Sequence, residues 1–290
     1  MHIPVLFTES INALNIQPDG VYVDGTLGGA GHAYAIGQKL SQQGTLIGFD
    51  VDADAIERAK TRLSDLNCKT QLFHRNFRDI AQALSDANIS PINGIFLDLG
   101  YSSYQIDNPQ HGLSFQHDGP LDMNLGHGDI TAADIINTWS EETLADIFYG
   151  YGDETAAKLI AKKIVAHRKH EKFTSTTGLA DFVGYCIPFR KGRTHPATRV
   201  FQALRIAVND EYGALTEALA GGLELLSSGG RYAIITFHSG EDRIVKNTFK
   251  NWSDAGLGTI LTKKPFAPSS EELAMNPLSR SAKLRIFEKL

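Results

Sequence analysis

Two cysteines in 290 residues, Cys68 and Cys186, are too few and too far apart for a disulfide framework or a zinc-ligand spacing. Reduced thiols in the core are the expectation, and no ligand-spaced His/Cys/Asp cluster points to a metal. Long apolar runs are also missing. The stretch that ends at Ile235 is far too short to cross a bilayer, and MHIPVLFTES has neither a basic leader nor a long hydrophobic segment. The expectation is a cytoplasmic protein with no membrane partner. Positive charge is in deficit too, with a net charge of −5, but its distribution matters more than its sum. Asp118–Glu154 holds nine acids and no Lys or Arg. Lys158–Arg205 holds eleven bases against two acids, and Arg243–Leu290 nine against four. Two basic blocks in an acidic chain suit a phosphate-backbone partner.

What is present is a globular composition, 42% hydrophobic and 21% charged, in a length that fits one large domain or two ordinary ones. The most informative stretch is Val21–His32, VYVDGTLGGAGH. An apolar β-branched run delivers Asp24 into a turn holding Gly25, Gly28, Gly29 and Gly31, followed by a helix. Glycines there let backbone approach a ligand and reach positive φ, so Gly28 and its neighbours form a cradle for a nucleotide-like cofactor. By itself the loop does not choose between a dinucleotide and S-adenosylmethionine (SAM).

In chain order, Thr8 is placed to cap a short first helix. TLIGFD ends a second strand at Asp50, whose carboxylate is placed to accept from the ribose hydroxyls. Asp52 and Asp54 are better placed to cap the helix that begins near Ala53. A third strand ends near Arg75, with Phe77 just beyond it as a cover for a purine face. INGIFLD is a fourth strand tipped by Asp98. Three successive strands thus end in Asp24, Asp50 and Asp98, and open α/β sheets bind ligands beyond the carboxyl ends of their strands.

From about Asn108 to Thr194 the alternation stops: a long loop precedes four helical segments with no convincing strand. Residues 108–194 form a helical insert, expected to roof the site and to recognise RNA, between the two parts, 1–107 and 195–290, of a discontinuous SAM-binding domain. The α/β pattern resumes at Ala197, a fifth strand reaches Phe237 with His238 at its tip, and two short strands follow, the last with alternation that suits a sheet edge. Seven strands in this order predict a class I SAM-methyltransferase (Rossmann-like), doubly wound sheet. An NAD-dependent dehydrogenase is the main rival, although Asp24 precedes the glycines and the loop departs from G-x-G-x-x-G. The second rival is a non-catalytic SAM- or RNA-binding assembly factor.

HxPVLxxE (His2–Glu9), DGTLGGAGH (Asp24–His32), GFDVDADAI, DLGYSSYQID, LSFQHDGPLDM, HPATRVFQALRIAVNDE, FHSGEDRIVK and NPLSRSAKLR run nearly the full length in order. Together they resemble the bacterial ribosomal RNA small-subunit methyltransferase H (MraW) family. The resemblance implies SAM-dependent methylation of a cytidine N4 in the decoding region of 16S ribosomal RNA, within an assembled or assembling 30S subunit. A homodimer is implied by the resemblance alone. It also implies cofactor contacts at Ala30, Gly31, His32, Asp50, Phe77, Asp98 and Gln105. This chain departs at HGLSF, LDMNL and NPLSRS, where the family commonly has arginine in place of His111, Asn124 and Leu278.

Cytosine N4 is a weak nucleophile that needs alignment and a hydrogen-bond acceptor. Placement at or beside strand tips nominates Asp98, Ser102 or Ser103 as that acceptor, with Asn209 or His238 orienting the amine.

Overall fold

The computed structural model describes residues 4–101, 103–106, 108–126, 128–187 and 195–290. The chain begins with helix α1 (Phe7–Ala13) and then alternates: β1 (Val21–Asp24), α2 (Gly31–Gln38), β2 (Thr45–Asp50), α3 (Ala53–Arg62), β3 (Lys69–His74), α4 (Ile80–Asp86) and β4 (Ile92–Asp98). Six helices follow: α5 (Ser103–Ile106), α6 (Ala132–Thr138), α7 (Glu141–Gly150), α8 (Ala157–His167), α9 (Thr176–Cys186) and α10 (Ala197–Asn209). The sheet resumes with α11 (Glu211–Leu225), β5 (Leu226–Thr236), α12 (Ser239–Asp254), β6 (Gly258–Ile260), α13 (Ser270–Met275) and β7 (Lys283–Lys289). No helix among the described residues is long and apolar enough to cross a membrane.

Strand order is β3-β2-β1-β4-β5-β7-β6, parallel except where β7 runs antiparallel to both β5 and β6. This is the class I methyltransferase sheet. The antiparallel β7 between β5 and β6 separates it from a wholly parallel dinucleotide sheet. Successive strand residues face opposite sides: Tyr22, Leu46, Phe96 and Ile235 pack into one core with α1 and α2, whereas Val23, Ile47, Leu97 and Ile234 pack into the other with α4, α11 and α12. Covering both faces explains why these strands read as unbroken apolar runs. β7 is interior, its middle four residues buried, and β6 is the edge; the expected edge position of the last strand is therefore corrected.

The capping chemistry follows the sequence in most places. Asp52 caps α3 by accepting from the Asp54 N–H at 2.8 Å, Thr131 and Asp134 form a reciprocal box at α6, and Ser140 and Ser175 cap α7 and α9. Thr8 is not a cap: α1 starts one residue earlier, behind Leu6 at φ 48°, and the Leu6 N–H is donated to Glu272 Oε1 at 2.7 Å.

The chain divides into two compact units, residues 1–100 with 212–290, and Tyr101–Glu211. The insert is thus wider at both ends than 108–194. At its C-terminal side the reason is α10, whose Val200, Phe201, Ala203, Leu204 and Val208 are buried in one core with Ile135, Leu144, Phe148, Ile160 and Leu179 of α6–α9. An amphipathic stripe declares that a helix needs a core without saying which. The ends of this unit are joined to each other. Tyr101 donates from its hydroxyl to Glu211 Oε1 at 2.7 Å, Arg205 binds both oxygens of Glu211 at 2.9 and 3.1 Å, and the Arg205 guanidinium stacks 4.5 Å from the centre of the Tyr101 ring.

Candidate active site

Because β2, β1 and β4 are adjacent and parallel, Asp50, Asp24 and Asp98 come to one edge of the sheet. The glycine loop is laced to that edge by backbone bonds: Gly25 N–H to the Phe96 carbonyl at 2.9 Å and Leu27 N–H to the Phe49 carbonyl at 3.1 Å. Asp50 fastens it further, Oδ2 accepting from the Gly28 N–H at 2.8 Å while Oδ1 accepts from the Asp52 N–H at 2.9 Å. Thr26 links the other two tips. Its N–H binds Asp24 Oδ1 at 3.0 Å, and its Oγ1 accepts from the Asp98 N–H at 2.7 Å. Arg62 of α3 donates to the Gly29 carbonyl at 2.6 Å.

The loop's glycines divide their work. Gly28 takes φ 48°, but the second left-handed position, φ 55°, falls on Ala30, which precedes the first turn of α2. Gly25 and Gly31 serve close approach instead: a Cβ at Gly25 would lie 2.4 Å from Leu97 and 3.2 Å from Phe77, and one at Gly31 2.7 Å from Pro4. Phe77, half-buried in the turn after β3, therefore lies against the base of the loop. His32, in the first turn of α2, is buried, its ring 4.4 Å from that of Phe96 and 5.6 Å from that of Phe7; its Nδ1 stands 3.8 Å from Asp98 Oδ2.

Among the described residues, none of the three strand-tip carboxylates is paired with a lysine or arginine. Burial pushes the Asp24 carboxyl well above the usual range, and Asp98 and Asp50 push it further against the N–H groups of Thr26 and Ala33. Burial also raises Asp50, opposed by the N–H groups of Asp52 and Gly28. Asp98 is raised to about 7 by burial and by the negative Glu241 of α12. Asp24 Oδ2 and Asp98 Oδ1 are buried atoms with no hydrogen-bond partner among the described residues. Carboxylates gathered beside a loop whose Gly25 and Gly31 leave no room for a Cβ fit a ligand carrying positive charge, such as a sulfonium and an ammonium. The structure also leaves Asp98 able to take up a proton near neutral pH.

Two expected orienting residues are corrected. Asn209 is buried and spends its side chain on the backbone: Nδ2 donates to the Met123 and Arg205 carbonyls at 2.8 and 3.0 Å, and Oδ1 accepts from the Leu125 N–H at 3.1 Å. It ties the 123–125 loop to α10. Asn209→Ala should lower the stability of the Tyr101–Glu211 unit by about 1–3 kcal/mol, measured by chemical denaturation, with wild-type cofactor affinity. His238 is the N-cap of α12. Its Nδ1 accepts from the Glu241 N–H at 3.4 Å and its Nε2 meets Glu241 Oε1 at 3.1 Å, while Glu241 Oε2 accepts from the Phe237 and His238 N–H groups. Both side chains thus have structural partners in the chain itself.

Ser102 lies outside the described residues, and Ser103 is described only through the backbone of α5. Gln105 belongs to the second unit, where it is buried and its carbonyl oxygen lies 3.3 Å from His111 Nδ1. Two of the three positions that depart from the family carry local bonds: His111 makes that contact, and Asn124 Oδ1 accepts from the Gly126 N–H while its Nδ2 donates to the Gly128 and Ile130 carbonyls. Leu278 is 71% exposed. The sequence missed Thr26, Glu241 and Arg62. Glu241 carried a signal, since an acid three residues after a polar strand tip marks a capping box. Nothing local marks Arg62, which reaches its carbonyl across 33 positions of chain.

A model of the MraW methylase family matches residues 1–290. Ribosomal RNA small subunit methyltransferase H 2 of Agathobacter rectalis is 44% identical over 307 residues, covering 99% of this chain and 98% of its own length. Ribosomal RNA small subunit methyltransferase H of Clostridioides difficile is 44% identical over 308 residues, covering 100% and 99%. Among solved structures, a candidate rRNA methylase from Clostridium thermocellum shares the fold with a TM-score of 0.50 and 14% identity, both chains covered in full.

Proposed function

The chain belongs to the MraW methylase family, and on that premise we propose that it transfers a methyl group from SAM to the exocyclic N4 of a cytidine in the decoding region of small-subunit ribosomal RNA. The observation that carries this is the convergence of Asp24, Asp50 and Asp98 around a glycine loop in a chain related over its whole length to rRNA methyltransferases. The substrate is an assembled or assembling 30S subunit, the protein works in the bacterial cytoplasm, and two copies associate as a homodimer.

Bound SAM supplies an electrophilic methyl group on a sulfonium. Asp50 holds the Gly28 N–H and has lone pairs left for ribose hydroxyls. Ala30, Gly31 and His32 face the cofactor from the start of α2, Phe77 covers a purine face, and Asp24 offsets cofactor charge. The protein has little covalent work to do. It holds the amine in line with the methyl carbon and accepts the proton that the nitrogen sheds, and of the acceptors named by the sequence Asp98 is the one whose geometry is described.

Labelled SAM incubated with 30S subunits that lack the mark, followed by nucleoside mass spectrometry, tests the proposal. N4-methylcytidine at one site is expected. Cofactor binding without transfer would replace the enzyme with an assembly factor, and a thermal shift with NAD but not SAM would restore the dehydrogenase.

The basic part of the second unit is the RNA-binding face on this reading. Within the basic block Lys158–Arg205, Arg168 is committed elsewhere, its two terminal nitrogens donating to the Ile136 and Trp139 carbonyls at 2.6 Å, and Arg190, Lys191 and Arg193 lie outside the described residues. Lys158, Lys162 and Lys169 are exposed on or just past α8. Replacing these three with alanine should weaken binding to 30S subunits and flatten the slope of log K against log salt by roughly 2, read from filter binding at several salt concentrations. An unchanged slope would move the RNA-binding face elsewhere.

A further inference from the structure

His32 is an unusual occupant of its position. Its ring fills a gap between Phe7 and Phe96, 6% exposed, where a phenylalanine would satisfy the packing. Its distinguishing property is the nitrogen turned to a carboxylate: Nδ1 stands 3.8 Å from Asp98 Oδ2. Thr26 Oγ1 accepts from the Asp98 N–H, and the second carboxylate oxygen, Oδ1, is a buried atom with no hydrogen-bond partner among the described residues. One oxygen faces the ring and the other is buried.

We propose that His32 is a positioning residue for the proton acceptor: its Nδ1 faces Oδ2 and fixes the orientation of the Asp98 carboxylate that accepts the proton of the substrate amine. This rests on the methyltransferase reading and goes beyond the cofactor contact that the family resemblance gives to His32. As the nitrogen–carbon bond forms and the carbon–sulfur electron pair returns to sulfur, the amine nitrogen loses one proton. The Asp98 carboxylate takes it, and the resulting acid returns it to water across its exposed quarter once the products have left.

His32 lies in the first turn of α2. The charged groups packed about the pair are Asp24 from β1, with Asp50 of β2 acting on Asp24, and Glu241 from α12 acting on Asp98; α1 contributes the uncharged Phe7. A donor beside Oδ2 opposes the burial and the negative neighbours that favour protonated Asp98. The 3.8 Å separation exceeds a hydrogen bond. Catalytic contacts are often long in the free protein and tighten in the reacting complex.

His32→Phe keeps the aromatic stack and removes both nitrogens. At pH 7 and saturating SAM its kcat should fall about 10- to 100-fold, over and above any loss of SAM affinity, and the acid limb of the kcat–pH profile should move up by about one unit, because Asp98 loses a donor to its charged form. His32→Gln, which can donate, should recover part of the rate and of the limb's position. In the free protein, 15N shifts should show the His32 proton on Nδ1 and should change in Asp98→Asn. An unmoved acid limb, a loss in kcat/KM matched by an equal loss of SAM affinity, or a proton absent from Nδ1 would each overturn the assignment. Wild-type turnover measured alongside separates the two levels: failure of wild type to methylate refutes the methyltransferase reading, whereas the tautomer in the free protein decides the positioning of Asp98 by itself.

Discussion

An Asp98→Asn variant should methylate 30S subunits about a thousandfold more slowly than the parent, lose no more than about tenfold in cofactor affinity, and be the more heat-stable of the two at pH 8. The rate effect follows from removing the proton acceptor, a role that typically contributes 10²- to 10⁴-fold. The stability effect has the opposite sign and the same cause. The folded Asp98 carboxyl titrates near 7, against 3.8 for an ordinary aspartate. Between those values the native state binds a proton that the unfolded chain does not, so stability falls as pH rises from about 4 to about 7 and stays reduced above it. A neutral amide escapes that loss. A shift of about three units sets an upper bound of about 4 kcal/mol, reduced by the exposed quarter of the side chain. Single-turnover rates and melting curves at pH 4 and pH 8 check both halves: the difference in melting temperature should be small at pH 4 and several degrees at pH 8. A variant that turns over at the parental rate would remove Asp98 from the chemistry.

Asp50→Ala should raise the dissociation constant for SAM at least a hundredfold with kcat at saturating cofactor within a few fold of wild type. The carboxylate does two things at once. It anchors the Gly28 N–H, holding the loop in place before any ligand arrives, and it is the acceptor proposed for the ribose. Hydrogen bonds to a charged group contribute roughly 1.5–3 kcal/mol each, so losing two exceeds the about 2.7 kcal/mol that a hundredfold represents. Asp50→Asn, which keeps one oxygen, should fall between. Calorimetric titration with SAM and with its demethylated product measures both, and a dissociation constant within threefold of wild type for Asp50→Ala would exclude Asp50 from the cofactor site.

The sheet was readable because parallel strands buried on both faces must be apolar along their length, and the abrupt acids Asp24, Asp50 and Asp98 mark where each leaves the core. The glycine loop was readable in place and less so in detail, since the second left-handed residue is Ala30 and two of the glycines make room for Leu97 and Pro4. Asn209 and His238 misled for a common reason: a polar residue at the end of a strand or helix serves a cap as well as a substrate, and only the partner decides. Here the partners are the backbone of residues 123–125 and the Glu241 N–H. The insert's extent was hidden because α10 carries a sound apolar stripe whose partner core lies in the preceding helices. Position inside the sheet was likewise invisible for β7, which pairs with β5 across a gap that contains all of α12.

The clasp of Tyr101, Arg205 and Glu211 draws the two ends of the second unit to within one side chain of each other. A segment whose entry and exit coincide can be exchanged as a cassette: deleting it and sealing the gap with a few residues requires little loop closure. The sheet is then free to retain its register while inserts of different length and charge are traded at the β4 tip.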